Sequence, residues 1–154
     1  MSEFNATQFL GTQIRSAADA LAAAVDALPT DRQDWRPGID GRTALSAVDV
    51  ALDAASLLAW GERCFRDRHP GPYDEAALAA GREARRGDAT MWLVEAANAL
   101  SAAVAGLPTS LLPQAIRNPA TGEPTNWAEF ALFFQAVAVR GEGQVRTIAA
   151  YCAP

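Results

Sequence analysis

The chain has 154 residues and a formal net charge of −5; 50% of its residues are hydrophobic and 20% are charged. One domain spanning residues 1–154 is expected, large enough to bury a core without disulfides or a structural metal, and the composition excludes the disordered and fibrous classes. All 13 basic residues are arginines, they are scattered, and the balance is acidic. No nucleic-acid partner is therefore expected. The opening Met1-Ser2-Glu3-Phe4-Asn5 lacks the charged-then-apolar profile of a signal peptide. No apolar run approaches the roughly 18 residues of a membrane span, so a cytoplasmic protein with no membrane partner is expected.

A first helix is predicted from Phe4 to Leu28. Leu10, Ile14, Ala17, Leu21, Val25 and Leu28 recur at steps of three and four, which lines one helix face. Pro29 ends it, and a connection holding Trp35, Arg36 and Pro37 follows. A second helix is predicted from an N-cap at Thr43 to Arg68. Its polar positions, Ser46, Asp49, Asp53, Ser56, Trp60 and Arg63, fall on one wedge, and the rest of its circumference is Ala, Val and Leu. A helix so widely apolar suits contact with two neighbours.

His69-Pro70-Gly71-Pro72 breaks the chain, and Tyr73 to Arg86 is read as a short helix within a long crossover. Asp88 is the expected cap of a third long helix, Ala89 to Leu107, stopped by Pro108. Asn126 with Glu129 reads as a capping-box-like start for a fourth, Trp127 to Tyr151. Its inner face carries Trp127, Phe130, Phe134, Val137, Gly141, Val145, Ile148 and Cys152. No period-two strand pattern competes anywhere along the chain. Residues 17–30, AADALAAAVDALPT, match residues 96–109, AANALSAAVAGLPT, at 10 of 14 positions. The expectation is all-α: a four-helix bundle made of two tandem helical hairpins joined by the crossover, running up-down-down-up.

Several short motifs then carry a likeness. Leu28-Pro29, Asp34-Trp35-Arg36-Pro37 and Gly41-Arg42-Thr43-Ala44-Leu45 precede the second helix, and Glu142-Gly143-Gln144 lies on the last. In order and spacing the chain resembles the DinB/YfiT-like superfamily of four-helix proteins. That resemblance implies a divalent metal held by three histidines, one on the second helix and two at i, i+4 on the fourth, just before a Gly-Gln pair. Counting from Thr43 and from Gly143-Gln144 puts the three positions at Val50, Val137 and Gly141. All three are apolar, and the chain has one histidine in total, His69. No metal and no other cofactor is expected, because the ligand set is missing.

Asp49 and Asp53 form an i, i+4 carboxylate pair. They are read as part of a solvated face, against a rival reading as a substitute metal or acid–base pair. Arg140, Glu142 and Gln144 flank the vacant positions and, with Asp49, are binding candidates; Glu142 is expected outward beside Gln135 and Arg146. Gln144, nearer the core edge, bonds either to a ligand or to backbone. Trp60 is an interface anchor on the solvated stripe or a ring packed beneath the connection that holds Trp35. His69 is expected at the surface, and Cys64 and Cys152 are expected to pack rather than react, having no activating neighbours in sequence. No catalytic residue is assigned. The expectation is a non-catalytic homodimer that binds a small molecule or a partner. The alternative is a divergent thiol-dependent transferase or hydrolase of the same superfamily, using Asp49, Glu142 or Arg140 in a pocket.

Overall fold

The computed structural model describes residues 4–39 and 42–152. Gly41 of the quoted motif and the first three residues of the N-terminal reading lie outside them. The described chain is mostly helical, with α1 Ala6–Asp26, α2 Ala47–Arg66, α3 Glu75–Ala84, α4 Ala89–Ala105 and α5 Trp127–Cys152. None of these helices is long and apolar enough to cross a membrane.

The predicted apolar stripe of α1 is its buried face. Ile14, Leu21 and Val25 are sealed from solvent, whereas Ala17 is only half-buried. Asn5 caps this helix, its Oδ1 accepting the Thr7 and Gln8 amides at 3.1 and 3.2 Å. Two expected caps are corrected. Ser46, not Thr43, opens α2, in a capping box with Asp49: the Asp49 amide donates to Ser46 Oγ, and the Ser46 amide donates to Asp49 Oδ2, both at 3.0 Å. Asp88 makes no side-chain cap for α4, because its carboxylate is taken by the Arg85 guanidinium at 2.8–3.1 Å. At α5 only half of the capping box forms. The Glu129 amide donates to Asn126 Oδ1 at 2.8 Å, while the Glu129 carboxylate accepts the Thr125 hydroxyl at 3.2 Å.

The expectation of no strands is also corrected. β1 Gly38–Ile39 pairs with β2 Arg42–Thr43, and β3 Ala115–Arg117 pairs with β4 Pro124–Asn126, both antiparallel. Strands of two and three residues are too short to display a period of two. The second ribbon turns at Gly122, whose φ of 75° suits glycine, and the turn is braced by the Ala120 amide donating to Asn118 Oδ1 at 2.9 Å.

The sequence repeat is a structural one. The Leu28 amide donates to Val25 C=O and the Leu107 amide to Val104 C=O, each at 3.1 Å. After each proline comes one 3-10 turn, with the Arg32 amide donating to Pro29 C=O at 2.8 Å and the Leu111 amide to Pro108 C=O at 2.9 Å. Each turn leads to a ribbon and then a capped helix. The Val48 amide donates to Gln33 C=O and the Ala128 amide to Leu112 C=O, both at 3.0 Å. On this register Ser46 corresponds to Asn126, Asp49 to Glu129, Val50 to Phe130 and Gly61 to Gly141.

The halves do not form hairpins, which corrects the tandem-hairpin expectation. Among the described residues α1 packs on α4 and α5, and α2 packs on α4 and α5; α1 hardly touches α2, and α4 hardly touches α5. The ribbon connections carry the chain diagonally across the core instead of folding each helix back on its predecessor. The start of α1 lies against the end of α4, with the Thr7 hydroxyl donating to Ala105 C=O at 3.2 Å. Three glycines allow close helix approach. A Cβ at Gly11 would stand 2.6 Å from Ser101 O, one at Gly61 2.6 Å from the Phe134 ring, and one at Gly141 2.9 Å from Leu21 Cδ2.

The core is uneven along its length. Near the start of α5, Phe65, Phe130 and Phe134 are fully buried and packed ring against ring, with centroids 4.9–6.2 Å apart. Near its end the buried side chains are smaller: Leu21, Val50, Val145 and Ile148.

Candidate functional site

Two features meet around the start of α2: a cluster of ion pairs and an apolar cleft. Asp49 is the hub of the first. Its carboxylate accepts Arg36 Nε at 3.0 Å and Nη2 at 3.3 Å, Arg86 Nη2 at 2.7 Å, and the Ser46 amide at 3.0 Å. Arg86 also reaches Asp34 at 3.2 Å. One turn on, Arg82 bridges Asp53 at 3.3 Å, Ser56 Oγ at 3.3 Å and Glu75 at 2.6 Å. The wedge read as solvated is therefore covered at Ser46, Asp49, Ser56 and Trp60, while Asp53 stays half-exposed and Arg63 exposed. Asp49 is only 6% exposed, because Arg36 from the connection and Arg86 from the turn after α3 close over it.

Burial pushes the Asp49 carboxyl up, but the Ser46 amide and the two guanidiniums outweigh it and hold its pKa at about 2. Burial raises Asp53 above the ordinary carboxylate range, partly offset by Arg82. An anion so fully satisfied keeps no proton near neutral pH and no lone pair turned to a metal. The cluster clips α3 and the residue 30–46 connection onto α2. The surface reading of Asp49 gives way to a buried, paired one, and the acid–base reading finds no support in this geometry.

The three positions that the resemblance assigns to metal ligands do not fit a metal. Val50 is 3% exposed, Gly141 is buried and Val137 is half-buried. A Cβ on Gly141 would lie 2.9 Å from Leu21 Cδ2 and 3.2 Å from Val50 Cγ1, so no larger side chain enters there without displacing Leu21. Aliphatic carbon is no donor for a transition metal. Among the described residues no group of three or more His, Cys, Asp or Glu side chains is placed to hold an ion.

Next to Val50 opens a cleft of 240 Å³. Pro37, Ala44 and Leu45 of the ribbon connection form one wall. Gln144, Ile148 and Tyr151 of the last turns of α5 form the other. Its polar fittings are the Gln144 amide, the Thr147 hydroxyl and the Tyr151 phenol; the Thr147 hydroxyl donates to Gly143 C=O at 3.0 Å. Ala44 and Leu45 form the ridge between this cleft and a charged hollow of 420 Å³ bounded by Arg36, Asp49, Asp53 and Arg82.

The sequence-assigned residues divide. Gln144 reaches the cleft, but as an exposed rim residue, not one at the core edge. Asp49 borders the charged hollow on the other side of the ridge. Glu142 is only 22% exposed, not outward as expected: it pairs with Arg146 at 2.6 Å and borders a groove between α1 and α5. Arg140 is exposed and lines none of these hollows. Asp49, Glu142 and Arg140 thus come together in none of these hollows.

Trp60 is 2% exposed, which removes it as an interface anchor. It does pack under a connection, though not the one holding Trp35. Its Nε1 donates to Pro72 C=O at 3.1 Å, and its ring meets Tyr73 and Phe130 edge-on at 5.4 and 5.7 Å. His69 is exposed, and Cys64 is buried, which pushes its thiol up and away from reactivity. Residue-by-residue reading missed Arg36, Arg82 and Arg86, whose partners on α2 lie 13 to 37 residues away, and it missed Leu45, Ile148 and Tyr151 as cleft walls. Arg82 and Arg86 do stand four apart on the α3 side, as Asp49 and Asp53 do on α2. That matched spacing was the available signal. The chain matches no protein-family model and no curated protein sequence.

Proposed function

We propose that this is a DinB-like four-helix bundle, up-down-down-up, that binds a small apolar molecule without a metal and without catalysing a reaction. Contact order supports the topology. Gly11 meets Ser101, and Thr7 meets Ala105, so α4 runs against α1. Gln13 meets Gln135 and Leu21 meets Gly141, so α5 runs with α1. Gly61 meets Phe134 and Val50 meets Gly141, so α2 runs against α5. The family likeness rests on the motifs around Pro37 and Gly143, which border the cleft.

The observation that carries the binding reading is the cleft itself. It is an apolar hollow of 240 Å³ beside Val50, with Gln144, Thr147 and Tyr151 at its edge. Ligand pockets pair an apolar lining with a few polar groups in this way. A cytoplasmic setting accompanies the reading, with Cys64 and Cys152 both free thiols.

A homodimer remains part of the proposal, now without Trp60. The exposed surface available to it is the outward stripe of α5, where Leu132 and Val139 are 46% and 52% exposed. Sedimentation velocity tests it, with one species of twice the chain mass expected and a monomer at high micromolar concentration refuting it.

The binding reading is tested by protein-observed NMR with a mixed library of small fragments. Saturable shifts are expected to converge on Val50, Gln144 and Ile148. Shifts that scatter, or that never saturate, would overturn it. Elemental analysis of tag-free protein dialysed against zinc, nickel and iron salts tests the metal claim; one retained equivalent per chain would refute it.

A further inference from the structure

The internal repeat says what size and shape of group the cleft is built for. Val50 floors it, and Val50 corresponds to Phe130 in the other half. That register is fixed independently, by the matched cap positions Ser46 and Asn126 and by the matched Val48–Gln33 and Ala128–Leu112 hydrogen bonds at 3.0 Å. In the second half the phenyl ring of Phe130 is fully buried and closes its end of the core, edge-on to Phe134 at 4.9 Å and stacked on Phe65 at 5.4 Å. In the first half the corresponding side chain ends at two methyl groups, and an opening lies beside it.

The volume agrees with that comparison. A cavity of roughly 150 Å³ lined by aliphatic and aromatic side chains holds benzene, so 240 Å³ has room for a ring with a short substituent. The described lining contains no charged side chain, but it does contain the Gln144 amide and the Tyr151 phenol. A neutral hydrogen-bonding substituent meets a partner there, and an ionic one loses hydration without compensation.

We infer that the cleft takes a neutral, monocyclic aromatic molecule with one hydroxyl-type substituent, its ring against Val50 and Ile148 and its polar end toward Gln144 and Tyr151. The inference rests on the reading of the cleft as a binding site and names the ligand class for it.

The test is a pair of titrations of the full chain, one with p-cresol and one with 1-hexanol, followed by 15N–1H NMR. p-Cresol is expected to give saturable shifts at Val50, Ile148 and the Gln144 side-chain amide, with a Kd at least tenfold below that for hexanol. Hexanol binding there as tightly as p-cresol overturns the ring assignment and leaves the cleft reading standing. Neither probe shifting those residues overturns both. Val50→Phe, which copies Phe130, is expected to remove p-cresol binding without lowering the melting temperature. Should that variant fail to fold, Tyr151→Ala, at a residue 57% exposed, is expected to weaken p-cresol at least fivefold. Unchanged p-cresol affinity in either folded variant counts against the inference.

Discussion

Val50 and Phe130 stand at the same step of a shared helix–turn–ribbon–helix plan, each four residues past its cap, Ser46 or Asn126. One floors an open cleft and the other sits in a knot of rings. Their neighbours diverge in the same way. Asp49 is buried under two arginines, whereas Glu129 is exposed and its carboxylate, among the described residues, bonds only to Thr125. The backbone plan is thus indifferent to its filling: caps, proline stops and ribbons repeat, while side-chain volume and charge do not. One half spends its apolar volume on sealing its end, and the other uses ion pairs to hold the crossover helix and leaves its end open.

The largest test of this contrast is a matched pair of truncations. Phe130→Ala removes a sealed ring and should cost ~3–5 kcal/mol. Val50→Ala removes two methyl groups at the edge of a cleft and should cost about 1.5 kcal/mol at ~0.8 kcal/mol per buried carbon. Urea denaturation measures both, and equal losses would mean that the two ends are packed alike.

The second pair sets the two acidic positions against each other. Asp49→Asn should lose ~2–3 kcal/mol at pH 7, the order expected of a buried carboxylate whose pKa falls from ~3.9 unfolded to about 2 folded. Glu129→Gln, at an exposed site, should lose under ~0.5 kcal/mol. The sign follows from the depressed pKa. The Asp49 contribution is complete above pH ~4 and disappears as pH falls through about 2. Stability curves of the parent and Asp49→Asn should therefore converge at the acid end. A gap at pH 2 well above the ~0.4 kcal/mol that a half-ionised carboxylate retains would assign the loss to something other than the carboxylate charge.

A third contrast concerns the end of α2. Arg68 corresponds to Ile148, which continues α5 as helix, but Arg68 holds φ 53° and closes α2, with the His69 amide donating to Cys64 C=O at 3.0 Å. Arg68→Gly relieves that left-handed backbone and should stabilise by ~1 kcal/mol, raising the melting temperature by a few degrees. No gain would mean that the Arg68 side chain makes a compensating contribution.

Much of this was legible beforehand where one helix face sufficed. Leu10, Ile14, Leu21 and Val25 on α1, and Phe130, Phe134, Val145 and Ile148 on α5, are buried as their spacing predicted. The repeat was legible too, because Leu-Pro-Thr ends both α1 and α4 and imposes the same stop. What escaped depends on distant chain. The burial of Trp60 is set by Pro72 and Phe130, and that of Asp49 by Arg36 and Arg86. Periodicity along α2 carries no trace of which segment will cover its polar wedge. The diagonal course of the chain escaped because short ribbons, which no local pattern announced, steer it. Of the cleft only Gln144 was singled out as a ligand-binding candidate; Val50 was marked as a vacant metal position, and the opposing wall comes from Pro37, Ala44 and Leu45.

Helix α3 has a single buried side chain, Leu78, and five carboxylates around Arg82 and Arg86 moor it to the body and to itself. A segment fastened by charge rather than by burial has its own opening equilibrium, separate from global unfolding. Added salt shortens the reach of those attractions from ~10 Å at 0.1 M to ~3 Å at 1 M. Amide exchange in α3 should therefore quicken with ionic strength while exchange in α1 and α5 holds steady, so that this crossover acts as a salt-operated cover over the polar side of α2.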